Sequence, residues 1–376
     1  MRILINTAST HKGGGLQVAS SFINECKQIG VNEYFIVLSP NLASLIAIDE
    51  YPDNFHFYTL TYRPATRIFS LKNPAKDLKR IENETNPDVV FTTTGPAYWR
   101  PKAKHVIGFN LGHHIYTDSP FFKKISLYKK IRWFLRRKLV KYYYQRDADA
   151  IVGQTYDVTH RAASWLGIDE CYTVSNTCSK YYDFTSEYSL KLPKKNDGDF
   201  RFLTLSSFYE HKNLEIINEI VEELTLRGVT NVKFILTLPE DEFAENFDEE
   251  LSEWIWNVGP VSLEDGPGMY SEVDAMFLPT LIECFSASYP EAMAMEKPII
   301  TTDLGFARSI CGSAALYYEP LNAAKAAIEI EALLMDPLKQ EELVESGKTE
   351  LLKFDNPEER ARKYLRICQQ LVDINK

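Results

Sequence analysis

The sequence predicts an α/β protein with two doubly wound domains, each a parallel sheet covered by helices on both faces. Short apolar runs rich in β-branched and aromatic residues alternate with stretches of helical periodicity along the chain, which is typical of parallel sheets. At 376 residues the chain is too long for one ordinary hydrophobic core. A polar stretch at residues 181–199 interrupts the alternation, which restarts at Phe200, so this stretch is the predicted linker. We place the first domain at residues 1–185, the second at 196–355 and a last helix at 356–376.

The first domain opens with a buried strand and a glycine-rich turn. Residues 1–6 are apolar, and the loop after them ends in Gly13, Gly14 and Gly15, beyond which residues 16–29 have helical periodicity. Glycines between a first strand and a first helix let a ligand approach the backbone closely, so this loop is a candidate binding site. It lacks the Gly-x-Gly-x-x-Gly spacing of dinucleotide sites, and a turn that binds nothing is the alternative.

Two histidines follow a later strand of the same domain. The further strands are predicted at residues 34–38, 55–60, 89–92, 106–110, 148–153 and 171–174, and the further helices at 76–85 and 156–166. Asn110, His113 and His114 lie at the carboxyl end of one of these strands, where parallel sheets bind ligands. Either histidine is therefore a candidate for a role in the cleft. The alternative for each is a loop histidine bonded to local backbone.

Residues 121–146 contain ten lysines and arginines and no acidic residue. Apolar residues recur at spacings of three and four, which predicts one amphipathic helix. The apolar stripe consists of Phe121, Ile125, Tyr128, Ile131, Leu135, Leu139 and Tyr142, with Trp133 and Phe134 beside it. The basic residues assigned to its surface are Lys123, Lys124, Lys129, Lys130, Arg132, Arg136 and Arg137. Such a helix can lie on an anionic bilayer, where each basic residue contributes about 1 kcal/mol. Nucleic acid would fit the charge as well, and a helix packed on the sheet by its apolar stripe is the structural alternative.

Composition limits the class of protein. The net charge of −10 argues against a nucleic-acid partner. No apolar run approaches the roughly 18 to 20 residues of a spanning helix, and the apolar part of the amino terminus is too short for a signal peptide. The six cysteines have no metal-binding spacing, which predicts a reducing cytoplasm and no metal site. With the basic helix, this predicts a cytoplasmic protein, peripheral on the inner face of the cytoplasmic membrane.

The second domain repeats the pattern of the first. Its strands are predicted at residues 200–205, 232–237, 256–261, 275–278, 298–302 and 316–319. Its helices are predicted at residues 214–227, 265–273, 322–334 and 338–352, and a last helix at 357–375 begins with a proline. Lys212 lies in the loop after the first of these strands and could reach a phosphate. Surface lysines are common, so Lys212 alone is weak support for a site.

The most informative stretch is residues 279–291. Ser286 is a suitable N-cap, and Pro290 fits the first turn of a helix that would start near Ala287. The free amides before that helix would point out of the carboxyl edge of the sheet, where a phosphate fits. Glu283 and Glu291 flank this position and suit polyhydroxylated groups on either side of it. An ordinary loop with two solvated glutamates is the alternative.

This region resembles the retaining family-4 glycosyltransferases of the GT-B type. The similarity lies in the run VDAMFLPTLIECFS from Val273 and the run PEAMAMEKPIITTD from Pro290, which match the family's Glu-x7-Glu and Glu-Ala-Met-Ala-x-Gly-Lys-Pro pattern. Weaker similarity covers the glycine-rich loop, residues 147–152, Asn176, Lys212 and the last helix. The resemblance implies two Rossmann-like domains that face each other across a cleft, with the last helix crossing back to the first domain.

The resemblance also implies a role for each site residue. Glu291 would bind the ribose, Glu283 the donor sugar and Lys212 the leaving phosphate. The remaining donor-binding positions would be Phe285, Ser286, Ala287, Ser207, Asn213 and Val261, with the first three binding the diphosphate through their amides. The acceptor side would involve Gly13 to Gly15, Asn110 and the two histidines. The family uses no metal or other cofactor, so amides and a lysine would stabilise the departing charge of a UDP- or GDP-sugar.

Two departures from the family pattern carry consequences. The arginine usually found before the lysine is absent, since Ser206 and Ser207 stand there, and its loss would weaken leaving-group stabilisation by about 2 to 4 kcal/mol. His211 is a candidate replacement. Cys284 and Ser286 replace two glycines of the pattern.

The leading hypothesis is a retaining transferase that moves a sugar from a nucleotide sugar to a lipid-linked glycan during assembly of a cell-surface polysaccharide. The alternatives are a nucleotide-sugar epimerase of the same fold and a degenerate, glycosyltransferase-like binding or scaffold subunit.

Overall fold

The structure is a computed structural model that describes residues 1–11, 13–68, 73, 75–178, 181–182 and 192–373. The chain forms two compact units. Unit 1 comprises Met1–Ile115, Ile125–Asn176 and Asp355–Lys376, and unit 2 comprises Tyr116–Lys124 and Thr177–Phe354. Residues 183–191 of the predicted linker, and with them the domain limit at residue 185, lie outside the described residues.

Each unit is built on one parallel sheet, which confirms the predicted fold class. The sheet of unit 1 contains β1 (Arg2–Asn6), β2 (Glu33–Leu38), β3 (Phe55–Thr59), β4 (Val89–Thr92), β5 (Lys104–Gly108), β6 (Ala150–Gly153) and β7 (Cys171–Thr173). The sheet of unit 2 contains β8 (Phe200–Thr204), β9 (Val232–Leu236), β10 (Ile255–Asn257), β11 (Ala275–Leu278), β12 (Ile299–Thr302) and β13 (Ala315–Tyr318). The strand orders are β3-β2-β1-β4-β5-β6-β7 and β10-β9-β8-β11-β12-β13. All pairs between neighbouring strands are parallel.

The helices follow the strands along the chain. They are α1 (Gly14–Cys26), α2 (Pro40–Ala43), α3 (Lys76–Thr85), α4 (Gly112–Ile115), α5 (Phe121–Lys124), α6 (Leu127–Asp147), α7 (Tyr156–Leu166), α8 (Ile216–Leu226), α9 (Glu240–Asn246), α10 (Gly266–Ser271), α11 (Ser288–Ala294), α12 (Gly305–Cys311), α13 (Ala323–Met335), α14 (Pro337–Leu351) and α15 (Pro357–Asp373). The sequence did not predict α2, α4, α9 and α12. Residues 256–261 were also predicted as one strand, but β10 ends at Asn257, so Val261 lies in the loop beyond it.

The two faces of the unit 1 sheet are covered by different helices. Ile3 and Ile5 of β1 join a core with Phe22 of α1 and Cys368 of α15. Leu4 points the other way, into a core that includes Leu78 of α3. This alternation follows from the two-residue repeat of a strand, and it requires apolar residues at consecutive positions because both faces are buried.

The last helix completes the core of unit 1. The ring of Tyr364 lies 5.4 Å from that of Phe22 and 5.0 Å from that of Phe91, measured between centroids. Arg360 is 2% exposed, and its guanidinium donates to Asn176 Oδ1 at 2.5 Å and to Ser21 Oγ at 2.7 Å. The resemblance therefore predicted correctly that the last helix returns to the first domain.

The basic segment is two helices rather than one. The chain leaves helical geometry between Lys124 and Leu127, and the Ser126 side chain caps α6 by accepting from the amide of Lys129 at 3.4 Å. Phe121 and Ile125 are buried, so the predicted apolar stripe is not continuous with the exposed residues of α6. The prediction of one amphipathic helix over residues 121–146 was wrong in this respect.

Candidate active site

The candidate site lies where the strand order of unit 2 reverses. β8 and β11 are neighbours at the centre of the sheet, and the chain continues from them toward opposite edges. Loops that leave the carboxyl ends of two such strands diverge and leave a crevice between them, the usual ligand position in open α/β sheets. The loop after β8 carries Lys212, and the loop after β11 carries Glu283.

Lys212 and Glu283 form a direct ion pair across this crevice. The Nζ atom of Lys212 contacts Oε1 of Glu283, and the two side chains are 13% and 11% exposed. The hydroxyl of Thr280 donates to the same Oε1 at 3.2 Å. The positive charge of Lys212 and the carboxylate of Glu283 therefore lie in contact, and Lys212 and Thr280 both donate to this carboxylate.

Backbone contacts fix the two loops to each other. The carbonyl of His211 accepts from the amide of Leu281 at 2.8 Å, and the Thr280 hydroxyl oxygen, which donates to Glu283, lies 3.3 Å from the same carbonyl oxygen. Asn213, which follows Lys212, has φ near 56° and ends a short 3₁₀ turn at Glu210–Lys212. The position of the lysine is thus set by the neighbouring loop as well as by its own.

The segment Tyr116–Lys124, which belongs to unit 2, braces both loops. Ser119 Oγ donates to the carbonyl of Leu281 at 2.7 Å, and this serine is buried. Lys124 Nζ donates to Asn213 Oδ1 at 2.5 Å and also contacts Glu215. Lys124 therefore has partners within unit 2, whereas the sequence had assigned it to a membrane surface.

The start of α11 offers three unpaired amides. The helix begins at Ser288 with Ala287 as its N-cap residue, and no side chain caps it, so the prediction of Ser286 as the N-cap was wrong. Ser286 instead accepts from the amide of Tyr289 through its carbonyl at 3.3 Å. Among the described residues, no carbonyl or side chain accepts from the amides of Phe285, Ser286 or Ala287. Unpaired amides before a helix are suitable donors to an anion.

Glu291 is a buried carboxylate on α11. It is 6% exposed, and burial raises its pKa to about 7, while a hydrogen bond from Tyr182 acts in the opposite direction. Within the described residues, no lysine, arginine or histidine pairs with it. A carboxyl group in this state titrates near neutral pH and can accept hydroxyl donors once it is ionised.

The other residues assigned to the donor side differ in exposure. Ser207 is exposed, Val261 is partly buried, and Asn213 is 1% exposed. Burial, followed by the charge of Lys212, lowers the pKa of His211 to about 3, so this histidine is neutral at physiological pH. It therefore cannot supply the positive charge that the absent arginine would have given.

Unit 1 has an equivalent strand-order reversal between β1 and β4. Gly13 has φ near 64° and precedes α1, with Gly14 and Gly15 as the first helical residues. The loop bonds to the loop after β4, because Ser9 Oγ donates to the carbonyl of Pro96 at 3.0 Å. The glycine-rich turn thus lies at the ligand-binding edge of its own sheet.

The histidines that the sequence placed in a loop lie in α4. His114 is 1% exposed, stacks on Trp165 with centroids 5.7 Å apart, and has a pKa lowered to about 3, chiefly by burial. His113 is partly buried and stacks on Trp133 with centroids 4.7 Å apart. His114 is therefore part of the packing of unit 1, and His113 is the better candidate for contact with a ligand. Asn110 is partly buried, and within the described residues its Oδ1 atom has no hydrogen-bond partner.

Helix α6 has a buried face and an exposed apolar face. Val140, Tyr144 and Asp147 are buried against unit 1. Six large apolar side chains are each more than half exposed, namely Leu127, Tyr128, Ile131, Phe134, Leu135 and Tyr142. At about 100° per residue the two faces are roughly opposite. We call the exposed one the apolar face of α6.

Basic residues flank the apolar face, but two predicted surface residues of α6 contact the protein, as Lys124 of α5 does. Arg137 donates to the carbonyl of His114 at 2.8 Å and lies over the ring of Trp165, and Trp133 stacks on His113. The side chains of Lys123, Lys129, Lys130, Arg132 and Arg136 are exposed. No described helix has the length and apolar character needed to cross a membrane. The described residues also contain no cluster of three histidine, cysteine or acidic side chains arranged to hold a metal ion.

Sequence reasoning missed several residues of the site. Thr280 and Ser119 position the loops, and Tyr182 covers Glu291, yet none of them stands in a recognisable spacing. Tyr182 in particular lies in the polar stretch that was interpreted as a linker. Only the three-dimensional contacts bring it to the site.

Part of the chain is similar to known glycosyltransferases. Residues 199–336 match the family model described as glycosyl transferases group 1. An uncharacterised glycosyltransferase of Sulfolobus islandicus rod-shaped virus 1 is 23% identical over 244 residues, which are 61% of this chain and 72% of the viral protein.

Solved structures share the fold over the whole chain. Sucrose-phosphate synthase from Thermosynechococcus elongatus is 16% identical, with a TM-score of 0.74 and 99% of each chain covered. The HepE protein from Anabaena, solved in complex with UDP and glucose, is 14% identical, with a TM-score of 0.68 over 100% of this chain and 99% of that one.

Proposed function

We propose that this chain, a glycosyltransferase by the domain it carries at residues 199–336, transfers a sugar from a nucleotide diphosphate donor with retained configuration. The observation that carries the proposal is the ion pair of Lys212 and Glu283 in the loops after β8 and β11, with the buried carboxylate of Glu291 on α11, the helix that follows β11. A cation, a fixed carboxylate and a buried carboxylate at one sheet edge suit a phosphate with a hydroxylated group on each side. The Glu-x7-Glu spacing supports retention, as in the family that the sequence resembles.

The residues divide the chemistry between them. The bond from the anomeric carbon to the phosphate oxygen breaks and a bond to the acceptor hydroxyl oxygen forms on the same face, while the departing diphosphate gains negative charge and accepts the hydroxyl proton. Lys212 and the amides of Phe285, Ser286 and Ala287 would stabilise that charge without rearrangement. Glu283, held by Lys212 and Thr280, would accept hydroxyl groups of the donor sugar and orient it.

The donor we infer is a UDP- or GDP-sugar, bound without a metal or other cofactor. Support for a uridine nucleotide comes from the HepE structure, which contains UDP on the same fold. Glu291 would bind the ribose hydroxyls, and the loop that contains Val261 would contact the base. The lysine and the amides provide the positive groups that the diphosphate requires.

The acceptor we infer is a lipid-linked glycan, presented at the inner face of the cytoplasmic membrane for assembly of a cell-surface polysaccharide. The apolar face of α6 supports this because six exposed apolar side chains lie together between basic residues. A contiguous exposed apolar surface usually marks an interaction site. Aromatic and aliphatic residues beside lysines and arginines are typical of helices that lie in an anionic bilayer surface.

The donor site is tested by nucleotide-sugar binding and turnover. We expect UDP- or GDP-sugars to raise the melting temperature, and Lys212→Ala to lower kcat by about 10²- to 10³-fold. Lys195→Ala is the matched control, since Lys195 pairs with Asp274, which precedes β11 at the opposite end of the strand. Equal turnover by wild type and Lys212→Ala would contradict the assigned role. Accumulation of an isomeric nucleotide sugar without acceptor would favour the epimerase instead.

The membrane surface is tested by flotation with vesicles of phosphatidylglycerol and phosphatidylcholine. We expect binding to anionic vesicles that Leu135→Asp strongly reduces. Leu352→Asp, which changes an even more exposed leucine beyond α14, should leave binding unchanged. Equal flotation of the two variants, or no preference for anionic lipid, would refute the membrane part of the proposal while leaving the donor site untouched.

A further inference from the structure

A tyrosine side chain covers the carboxylate of Glu291. Tyr182 is 8% exposed, and its hydroxyl is hydrogen-bonded to the Glu291 side chain. Its ring packs edge-on against Tyr270, with centroids 5.9 Å apart. Tyr270 is fully buried and donates to the carbonyl of Ser288 at 3.2 Å, so the ring beneath Tyr182 is fixed to the first residue of α11.

Gly266 sets the position of the phenol from the other side. A Cβ atom at this residue would lie 2.3 Å from the Tyr182 hydroxyl oxygen and 3.1 Å from the ring carbon that bears it. The hydroxyl therefore rests against the backbone at the start of α10, and a side chain at Gly266 would displace it. Tyr182 lies between α10 and Glu291, with its oxygen directed at the carboxylate.

The neighbouring tyrosine makes a similar bond elsewhere. The hydroxyl of Tyr181 donates to Oε1 of Glu264 at 2.9 Å, and both of these side chains are more exposed than those of Tyr182 and Glu291. Two consecutive tyrosines thus each donate to a glutamate, but only Tyr182 covers the buried one.

We propose that Tyr182 is a gate on the nucleotide site: in the unliganded protein its hydroxyl takes the place of a ribose hydroxyl on Glu291, and the nucleotide must displace it to bind. This inference rests on the proposed role of Glu291 in binding the ribose. Phenol and ribose hydroxyls are equivalent as O–H donors to a carboxylate. Since no described cation pairs with Glu291, an opening that supplied no new donor would leave a buried carboxylate unsatisfied, which is costly.

The gate has a consequence for ligand selection. A nucleotide replaces the lost O–H···O bond with bonds from its ribose, whereas inorganic pyrophosphate carries no such donor. Pyrophosphate would therefore bind at the Lys212 side while Tyr182 stays on Glu291. Displacement also adds a step before binding, so the gate lowers the association rate for nucleotides and leaves that for pyrophosphate unchanged.

The experiment compares Tyr182→Phe with wild type by calorimetry and stopped-flow binding of UDP and GDP at pH 8.5. The variant keeps the ring and its packing on Tyr270 but removes the donor. We expect the nucleotide Kd to fall about tenfold, mainly through faster association, because a hydrogen bond to a charged group no longer has to be broken. Pyrophosphate affinity should stay the same.

Tyr181→Phe is the matched control and should leave both affinities within about twofold of wild type. Nucleotide binding by Tyr182→Phe that is equal to or weaker than wild type would overturn the gate. A faster dissociation rate would instead make Tyr182 a direct contact of the bound nucleotide, which also overturns it. If the folded wild type binds neither UDP nor GDP, the proposed function itself fails, so the two failures are distinguishable.

Discussion

Replacement of Glu291 by glutamine should change how the stability of the protein depends on pH. Burial raises the pKa of this carboxyl from 4.5 to about 7 in the folded protein. A group with a raised folded pKa contributes stability below its unfolded pKa, near 4.5, and that contribution is lost as pH rises through 7. Among the described residues, the titratable groups that interact with Glu291 are Tyr182, Tyr270 and Cys178, and none of these three is cationic.

The magnitude follows from the size of the shift. One pKa unit corresponds to about 1.4 kcal/mol, so ionisation of Glu291 lowers the free energy of unfolding by about 3 kcal/mol at pH 8. At pH 5 the same group costs less than about 1 kcal/mol because the folded protein keeps the proton. Glutamine is neutral throughout, so Glu291→Gln should gain about 3 kcal/mol over wild type at pH 8 and little at pH 5.

The measurement is urea unfolding at pH 5 and pH 8, followed by tryptophan fluorescence and circular dichroism. Glu264→Gln is the control, since it also alters a glutamate bonded to a tyrosine, and that glutamate is exposed. Its effect at pH 8 should be smaller than that of Glu291→Gln, because this glutamate is exposed. A difference between Glu291→Gln and wild type that does not grow with pH would refute the buried, near-neutral carboxyl.

Three further predictions concern binding and packing. Nucleotide binding at pH 6.5 should release up to one proton from Glu291, whereas the Glu291→Gln variant should release none. Calorimetry in buffers of different ionisation enthalpy measures this release. Binding heats of the wild type that are equal in all buffers would contradict the prediction. Gly108→Ala should lower the melting temperature, because its Cβ atom would lie 2.2 Å from the carbonyl oxygen of Thr93. Gly14→Ala is the control and should not lower it, because a Cβ atom there would meet no neighbouring atom within 4 Å. Similar melting temperatures for the two variants would count against the packing at β5. Arg360→Ala should lower the free energy of unfolding by about 2 to 4 kcal/mol, because Asn176 and Ser21 lose their buried donor. Arg362→Ala breaks only an exposed pair with Glu358 and should change this free energy by less than about 0.5 kcal/mol. Equal losses for the two variants in urea unfolding would contradict the anchoring role of Arg360.

The strands were predictable because both sheets are buried on both faces. A strand such as β11 or β4 is a continuous apolar run, and such runs are distinct from the polar loops around them. Helices that carry a full apolar stripe, such as α3 and α7, were also predicted with their observed limits. The short helix α4 was missed because four residues are too few to show a period.

Site geometry was less accessible to sequence reasoning. The sequence related Lys212 and Glu283 separately to a bound phosphate, but their direct pairing depends on loop conformations that no spacing encodes. The prediction of Ser286 as the N-cap was wrong because serine is a suitable residue type, but the helix begins at Ser288 and Ala287 occupies the cap position. Periodicity located the apolar residues of α6 without saying whether they face the sheet or the solvent, since both faces of that helix contain large apolar side chains.

The return of α15 to unit 1 affects the order in which the chain can fold during synthesis. Most of unit 1 precedes residue 177 and is made before most of unit 2, yet its core includes Ala361, Tyr364 and Cys368, which are made after all of unit 2. The sheet of unit 2, by contrast, is complete once β13 has emerged. The core of unit 1 can therefore be completed only after all of unit 2 has been made, because α15 packs in the same core as α1.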